Sequence, residues 1–396
     1  MLLGGIRYLL PVIEAAHKQG YYVITADYLP DNIAHKYSDE YVNVSIVDRE
    51  AVLQAAIEKK IDGIMSFGVD PGVVSAAYVQ TKLGLPAFGP FESVEILQNK
   101  DRFRAFLQKN GFNVPKAKGY SSVKEAIKDS NEWTYPVIVK PTDSAGSKGV
   151  SRVDKPEEME SAALNAFAHS ISGHIIVEDF IEKKGCSSDS DSFLENGVLK
   201  FVSFSAQRFD EKAANPYTPA AYSWPSTFSK AEEGYLTNEL QRLLSLLKMR
   251  SGIYNIETRI AKDGTPYIME VSPRGGGNRL AEMLRILTGI DLIEASVKDI
   301  VGEKPEWGPY PKTIPGVLCE IILHAPFSGV FKSLEIDNCL QESIIQEDLW
   351  VKQGDEVHSF IGANDAIGTL VFHFDNNSSF DHFFSNINNS IKPVIV

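Results

Sequence analysis

Residues 255–279 carry the densest pattern of the chain, NIETRIAKDGTPYIMEVSPRGGGNR. Two runs of alternating apolar and polar residues flank the tetrad at positions 262–265, Lys-Asp-Gly-Thr, and such a tetrad between such runs predicts a hairpin turn. A hairpin centred within the tetrad places Glu257 on one strand directly opposite Glu270 on the other, about 5.5 Å apart at Cα. The stretch therefore predicts two carboxylates facing one another across adjacent strands.

Two carboxylates at that spacing repel each other unless a cation lies between them. Hard carboxylate oxygens suit Mg²⁺, which keeps waters and phosphate oxygens as its remaining ligands, and Mn²⁺ is a second candidate. The alternative is that one of the two glutamates faces solvent or pairs with Arg259. The glycine-rich segment that follows, Pro-Arg-Gly-Gly-Gly at 273–277, favours the metal interpretation.

The first 90 residues alternate short apolar runs with amphipathic segments, a rhythm typical of βαβ units and a parallel sheet. Leu85-Pro86 to Gly89-Pro90 breaks that rhythm. With 396 residues, the chain is long enough for two to three domains. We predict three: 1–90, 91–300 with a lid-like small lobe over 114–182, and a closing α+β domain over 301–396.

Composition narrows the classes of partner. A formal net charge of −13 disfavours nucleic acid or an anionic membrane as the main partner. No uninterrupted apolar run reaches the roughly 18–20 residues that a membrane-spanning helix needs. Three widely spaced cysteines, Cys186, Cys319 and Cys339, fit neither a disulfide framework nor a zinc site. We therefore expect a cytoplasmic protein.

A second motif lies upstream of the hairpin. Tyr135 to Lys140 predicts a short strand that ends in a lysine, and residues 142–150 follow it as Thr-Asp-Ser-Ala-Gly-Ser-Lys-Gly-Val. Small residues and two glycines let such a loop point backbone N–H groups at phosphate oxygens, with Lys140 and Lys148 supplying positive charge. A glycine-rich loop alone is weak evidence. Its position directly after a strand-borne lysine makes it stronger.

Four further segments complete the pattern. A helix is expected from about Glu92 to Asn110, with Lys100 near its middle, and 174–181 predicts a strand that carries Glu178. The uncharged aromatic segment 215–225 is either a packed loop or a wall of a substrate pocket, two interpretations held equal. After Gly275 to Gly277 a helix is expected, with Arg274 before it and Arg279 in its first turn. Arginines at a helix N-terminus are unfavourable for the helix dipole, which suggests a bound anion.

These features, taken together and in order, resemble the ATP-grasp superfamily over roughly residues 1–300. The closest resemblance is to the branch that holds biotin carboxylase, carbamoyl-phosphate synthase and the L-amino acid ligases. It implies an α/β and α+β architecture: an N-terminal parallel-sheet pre-ATP-grasp domain, a two-lobed ATP-grasp domain and a small C-terminal α+β domain. It also implies phosphorylation of a carboxylate to an acyl phosphate, which an amine or another nucleophile attacks.

The resemblance assigns roles position by position. Lys100 and Lys140 would contact the ATP phosphates, with Lys140 also near the adenine. The loop residues that would close over the β- and γ-phosphates are Ser144, Gly146, Ser147, Lys148 and Gly149. Glu178 would accept from the adenine amino group, while the backbone of Asp179 and Ile181 reads the ring edge. Glu257, Glu270 and Ser272 would hold Mg²⁺. Arg274 would stabilise the transferring phosphoryl group, and Arg279 is a candidate for the substrate carboxylate.

Two positions depart from the family pattern. Ser272 stands where the family usually has an asparagine, which puts a second metal in doubt. The ribose-binding glutamate expected about seven residues after Glu178 is absent, with Gly185 to Ser187 at that place and Asp189 and Asp191 beyond it.

Three functions stay open at this point. The first is an ATP- and Mg²⁺-dependent carboxylate–amine ligase with small-molecule substrates, acting through an acyl phosphate. The second is a biotin-carboxylase-like or purine-pathway carboxylase that uses bicarbonate. The third is a non-catalytic ATP-binding regulatory protein. Homodimers are common among such proteins, and the sequence leaves the oligomeric state open.

Overall fold

The computed structural model describes residues 1–144, 146–307 and 314–396. Its N-terminal part is a parallel sheet in the strand order β3-β2-β1-β4, as the alternating rhythm predicted. The central strands are buried, as expected when helices cover a parallel sheet. The elements are β1 (Leu2–Leu3), α1 (Leu10–Lys18), β2 (Ile24–Asp27), β3 (Glu40–Asn43), α2 (Arg49–Lys59), β4 (Met65–Ser66) and α3 (Val73–Leu83).

The helix expected over 92–110 is wrong as a single element. The structure has α4 (Phe91–Gln98) and α5 (Lys100–Lys109), separated by Asn99 in an extended conformation. The Asn99 side chain accepts from the Arg102 N–H at 2.9 Å and caps the second helix. Lys100 therefore begins α5 rather than lying in the middle of a longer helix.

The small lobe is an antiparallel sheet in the order β5-β8-β6-β7, packed on its two helices. The glycine-rich loop joins β6 to β7, which pair antiparallel, so it is the tip of a hairpin. The elements are β5 (Ala117–Tyr120), α6 (Val123–Lys128), β6 (Val137–Pro141), β7 (Ser151–Val153), α7 (Met159–Ala168) and β8 (Ile175–Asp179).

The following segment builds a second antiparallel sheet in the order β10-β9-β13-β14, here called the hairpin sheet. Strands β13 and β14 are the two arms of the hairpin predicted over 255–272. The elements are β9 (Ser188–Glu195), β10 (Val198–Phe201), β11 (Ala206–Phe209), β12 (Pro219–Trp224), α8 (Lys230–Leu246), β13 (Gly252–Ile260), β14 (Pro266–Ser272), α9 (Leu280–Thr288) and α10 (Leu292–Ile300).

The C-terminal sheet has the order β11-β12-β15-β19-β17. Its first two strands come from the middle of the chain, so it crosses the boundary predicted at residue 300. The prediction of a loop over 215–225 is wrong for Pro219–Trp224, which pairs with β15 as an inner strand. The remaining elements are β15 (Val317–His324), β16 (Gly329–Ile336), β17 (Ile344–Leu349), β18 (Glu356–Val357), β19 (Ala366–Phe374), α11 (Asn377–Ser385), α12 (Ile387–Ser390) and β20 (Ile391–Ile395).

The three-domain division stays a prediction, and positions 308–313 of its last domain lie outside the described residues. Across the parts of the chain that the structure describes, no helix is both long and apolar enough to cross a membrane. The cytoplasmic location also stays a prediction.

Candidate functional site

The hairpin pairs Glu257 with Glu270, so the predicted juxtaposition is confirmed. The pairing register shifts by one residue between Glu257–Glu270 and Thr258–Ile268, because β14 has a bulge there. Met269 is the extra residue on β14. At such a bulge, two residues of one strand lie opposite a single residue of the other. Without the bulge Met269 would lie opposite Glu257, and with it Glu270 takes that place.

Neighbouring strands extend the pair into two rows on one face of the sheet. Asp189 on β9 lies opposite Glu257, which makes a row of three carboxylates: Asp189, Glu257 and Glu270. A second row, displaced by two residues along each strand, holds Asp191, Asn255 and Ser272. The side chains of Glu257 and Glu270 are 31% and 36% exposed, so they remain accessible to a ligand.

The alternative that Glu257 pairs with Arg259 is also partly met. The Arg259 guanidinium lies 3.4 Å from Glu257 Oε1, and it also donates to Ser187 Oγ at 3.0 Å. At 3.4 Å the contact to Glu257 is a weak hydrogen bond. It leaves the second carboxylate oxygen of Glu257 for another partner.

Lys100 joins the hairpin to the glycine-rich loop. Its Nζ lies 3.5 Å from Glu270 Oε2 and donates to the Ser144 carbonyl at 3.2 Å. Within the loop, Gly146, Ser147 and Gly149 all have left-handed backbone angles, φ 67°, 58° and 72°, conformations for which glycine is the least strained residue. Lys148 is exposed. Position 145, the remaining member of the predicted loop, lies outside the described residues.

Glu178 lies between two cations. Arg104 Nε donates to Glu178 Oε2 at 3.0 Å, and Lys140 Nζ donates to Oε1. Burial by itself would raise the pKa of Glu178, but Arg104 and Lys140 outweigh burial and lower it to about 2. Burial lowers the pKa of the Lys140 ammonium. The group is thus one carboxylate and two cations, with a net positive charge.

The backbone groups predicted to read an adenine edge are partly engaged within the protein. The Asp179 N–H donates to the Lys116 carbonyl at 2.9 Å, and the Ile181 carbonyl accepts from Arg259 at 3.3 Å. The contact of Glu178 and this segment with adenine stays a prediction.

Arg274 and Ser272 converge on a residue that the sequence analysis did not select, Asp70. Arg274 donates to both Asp70 oxygens, from Nε at 2.8 Å and from Nη2 at 2.6 Å, and Ser272 Oγ donates to Oδ1 at 2.9 Å. Gln98 Nε2 in turn donates to Ser272 Oγ at 2.8 Å. Burial would raise the pKa of Asp70, but Arg274 lowers it below its ordinary value. The Ser272 hydroxyl is therefore engaged with protein partners, and its role as a metal ligand stays a prediction.

Arg279 lies just before α9 rather than in its first turn, with a left-handed φ of 57°. Its guanidinium is buried against the C-terminal sheet. It donates to Thr369 Oγ1 at 2.7 Å and to Gln346 Oε1 at 2.8 Å, and it pairs with Glu282. Because these partners are internal, a contact with a substrate carboxylate stays a prediction.

The sequence analysis considered Asp189 and Asp191 only for the ribose, whereas they lie on β9, beside the hairpin in the same sheet. Burial, followed by the charge of Glu257, raises the pKa of Asp189 to about 6. Burial raises the pKa of Asp191 to about 7. Asn255 Nδ2 donates to both aspartates, at 2.7 and 3.2 Å. Residues 187–192 are all polar and show no alternation, so the one available signal is the spacing of two between Asp189 and Asp191, which places both on the same face if the segment is a strand.

Mg²⁺ can be tested against these donors. Among the described residues, no group of three or more His, Cys, Asp or Glu side chains is arranged to hold a metal ion. Glu257 and Glu270 nevertheless offer accessible hard oxygens on one face, which suits a cation that takes its other ligands from water and phosphate. ATP fits as well. Lys100 contacts the loop and Lys140 precedes it on β6, and three residues of the loop are left-handed, which suits a polyphosphate.

The fold and the site define a class of protein in which a lysine joins a glycine-rich loop to a hairpin with paired carboxylates. A family model described as the ATP-grasp domain matches residues 133–282, which span the loop, Glu178 and the hairpin. The matched segment is similar to the ATP-grasp domain, as the sequence analysis predicted, and the fold predicted from the sequence is confirmed.

Three relatives illustrate the similarity. The carbamoyl phosphate synthase large chain of Thermotoga neapolitana is 26% identical over 337 residues, which cover 82% of this chain and 30% of that protein. The L-amino acid ligase of Bacillus licheniformis has a TM-score of 0.82 at 20% identity, covering 100% of this chain and 98% of that one. The biotin carboxylase domain dimer of the Hydrogenobacter thermophilus 2-oxoglutarate carboxylase, solved with MgADP, ADP and bicarbonate, has a TM-score of 0.73 at 16% identity, covering 99% and 90%.

The chain spans about 30% of the length of the curated relatives that it matches. At such identities the similarity to the solved structures establishes the fold.

Proposed function

We propose that this chain is an ATP- and Mg²⁺-dependent carboxylate–amine ligase that acts through an acyl phosphate. The observation that carries the proposal is the bridge made by Lys100, which joins Glu270 of the hairpin to Ser144 of the glycine-rich loop. One cation thus lies between the residues proposed for the metal and the loop proposed for the phosphates. Phosphoryl transfer depends on this kind of positioning and charge neutralisation.

In this proposal Glu257 and Glu270 hold Mg²⁺, with Ser272 as a further candidate ligand. The ion neutralises negative charge on the phosphates. Lys100 and Lys140 contact the phosphate oxygens, Glu178 accepts from the adenine amino group, and Arg274 stabilises the transferring group. Arg274 is fixed by its two bonds to Asp70, so it needs little reorganisation when charge develops.

The experiment is a release assay for ADP and phosphate with ATP and Mg²⁺ against a panel of amino acids and other carboxylic acids, with hydroxylamine present to trap an acyl phosphate as a hydroxamate. We expect substrate-dependent ADP release, and a loss of about a hundredfold or more in kcat for Glu270→Gln. The matched control is Glu182→Gln, which removes the same charge from an exposed residue beside the hairpin turn and should keep full activity. Binding of ATP without ADP release for any carboxylate would refute the ligase proposal.

The bicarbonate reading is favoured by one observation, the similarity to the biotin carboxylase domain solved with MgADP and bicarbonate. ADP release that depends on bicarbonate and needs no amine would select it. A regulatory protein would instead bind ATP without turnover, and Glu270→Gln would then have no activity to lose. The homodimer is a further proposal, to be tested by sedimentation equilibrium.

A further inference from the structure

A cleft of about 580 Å³ lies beside the candidate site, between the N-terminal sheet region and the small lobe. Its volume is within the range of small-molecule sites, about 300–1,000 Å³. Asp70 and Gln98 are among its lining residues, and both bond to Ser272 on the hairpin. One end of the cleft therefore meets the second row of the hairpin, beside Arg274.

The cleft carries uncompensated negative charge. Asp48, Glu50 and Asp143 line it, and within the described ranges none of the three has an ion-pair partner. Their hydrogen bonds come from neutral donors: the Ala51 N–H for Asp48 and the Tyr78 hydroxyl for Glu50. For Asp143 the donors are two backbone N–H groups and the Ser170 hydroxyl. Neutral donors stabilise a carboxylate but leave its charge in place.

Arg49, a cation of the lining, offsets one of these three charges and leaves the lining with an excess of negative charge. Arg49 lies with its guanidinium 5.0 Å from the ring centroid of Tyr78 and 5.9 Å from that of Phe91. Asp70, the fourth carboxylate of the lining, is already paired with Arg274. A cleft lined mainly by one sign of charge concentrates ligands of the opposite sign.

We propose that this cleft admits the amine substrate as a primary ammonium ion and delivers it to the hairpin end where Ser272 and Arg274 lie. The inference rests on the proposed ligase function. The two substrates then enter regions of opposite charge, with ATP beside Lys100, Lys140 and Arg104 and the amine between Asp48, Glu50 and Asp143. An anionic substrate would be repelled from the second region.

The chemical step balances with this arrangement. The amine nitrogen forms a C–N bond to the acyl carbon, and the C–O bond to phosphate breaks. An ammonium ion has three N–H protons and the amide product keeps one. One proton therefore leaves with the phosphate as HPO₄²⁻ and the other passes to bulk water.

The test measures how strongly ethylammonium competes with hydroxylamine. Ethylamine is cationic at neutral pH, so its binding should depend on the carboxylates of the cleft. Hydroxylamine is mostly uncharged, so its reaction should not depend on them. Hydroxamate formation is followed as ethylamine is added, and each rate is expressed relative to the same protein without ethylamine. We expect the double variant Asp48→Asn, Glu50→Gln to need about tenfold more ethylamine for half-suppression than wild type.

The variants were chosen to keep local structure. Asparagine still caps α2 at position 48, and glutamine at position 50 still accepts from Tyr78. The matched control is Glu58→Gln, which removes a charge from an exposed residue of the same helix outside the cleft, and it should behave as wild type. Equal suppression of wild type, double variant and control would overturn the inference.

A failure of the proposed function is distinguishable from a failure of this inference. If no carboxylate yields a hydroxamate, the ligase proposal fails. The cleft is then tested by calorimetric titration of ethylammonium chloride into the same proteins. Binding that weakens about tenfold only in the double variant supports a cation site, and binding equal in all three contradicts it.

Discussion

At the residue scale, the Arg104 guanidinium joins three segments that are far apart in sequence. It donates to Glu178 at 3.0 Å and to the carbonyl of Met269 at 2.8 Å, from its place on α5. Met269 is the bulged residue beside Glu270. Arg104 therefore connects the residue proposed for adenine to the strand proposed for the metal.

We predict that Arg104→Met lowers the free energy of unfolding by about 3 kcal/mol, because it removes one partner of a buried charge pair. Both side chains are only 3% exposed. The measurement is urea denaturation, together with the KM for ATP, which should rise. Arg102→Met is the control: Arg102 is 47% exposed and pairs with Glu95 on the surface, so its loss should cost less than about 1 kcal/mol. Equal costs for the two variants would contradict the prediction.

Glu320 provides a second prediction at this scale. It is fully buried on β15, and among the described residues neither of its carboxylate oxygens has a hydrogen-bond partner. Burial raises its pKa from an ordinary value of 4.5 to about 8. A raised pKa in the folded state means that stability is fully present below pH 4.5 and is lost as pH rises toward 8.

We therefore predict that Glu320→Gln, neutral at every pH, reduces the loss of unfolding free energy between about pH 5 and pH 8 by up to about 4 kcal/mol. The measurement is denaturant unfolding across that range. Glu14→Gln, which replaces a glutamate with a 67% exposed side chain, should keep the wild-type dependence. A pH dependence unchanged by Glu320→Gln would show that this group does not titrate as described.

At the scale of elements, the junction between α4 and α5 positions Lys100. Asn99 interrupts what the hydrophobic pattern predicts as one helix, and its side chain caps the second. The break places Lys100 where its N–H donates to the Thr142 carbonyl at 3.0 Å. Its side chain reaches both Ser144 and Glu270 from this position.

We predict that Asn99→Ala costs about 1 kcal/mol of stability, the usual value for a lost cap, and also raises the KM for ATP severalfold because Lys100 is no longer fixed. Ser122→Ala is the matched control. It removes the cap of α6, where Ser122 Oγ accepts from the Glu125 N–H, and should cost similar stability without changing the KM. If both variants change the KM equally, the effect is one of global stability alone.

At the scale of the whole molecule, the Asp70–Arg274 pair fastens the N-terminal region to the hairpin sheet. The two residues are 204 positions apart, and both side chains are largely buried, at 19% and 9% exposure. We predict that Asp70→Ala lowers the free energy of unfolding by about 3 kcal/mol, because it leaves the arginine buried without its partner. Thermal or urea unfolding measures the cost.

The control for this pair is Glu14→Ala, which breaks the exposed pair Lys18–Glu14 and should change stability by no more than about 0.5 kcal/mol. An Asp70→Ala variant as stable as this control would mean that the Asp70–Arg274 pair does not hold the two regions together.

The sequence determined the hairpin, the glycine-rich loop and the facing of Glu257 and Glu270, because strand alternation and a short turn act between residues close in the chain. Even there the alternating pattern did not predict the bulge at Met269, whose carbonyl accepts a hydrogen bond from Arg104 on a distant helix. Only the tertiary structure decided that Asp70 holds Arg274, that Asp189 lies beside Glu257 and that β12 joins the C-terminal sheet. Contacts of this kind depend on how distant elements pack, and no local periodicity encodes which element will cover a given side chain.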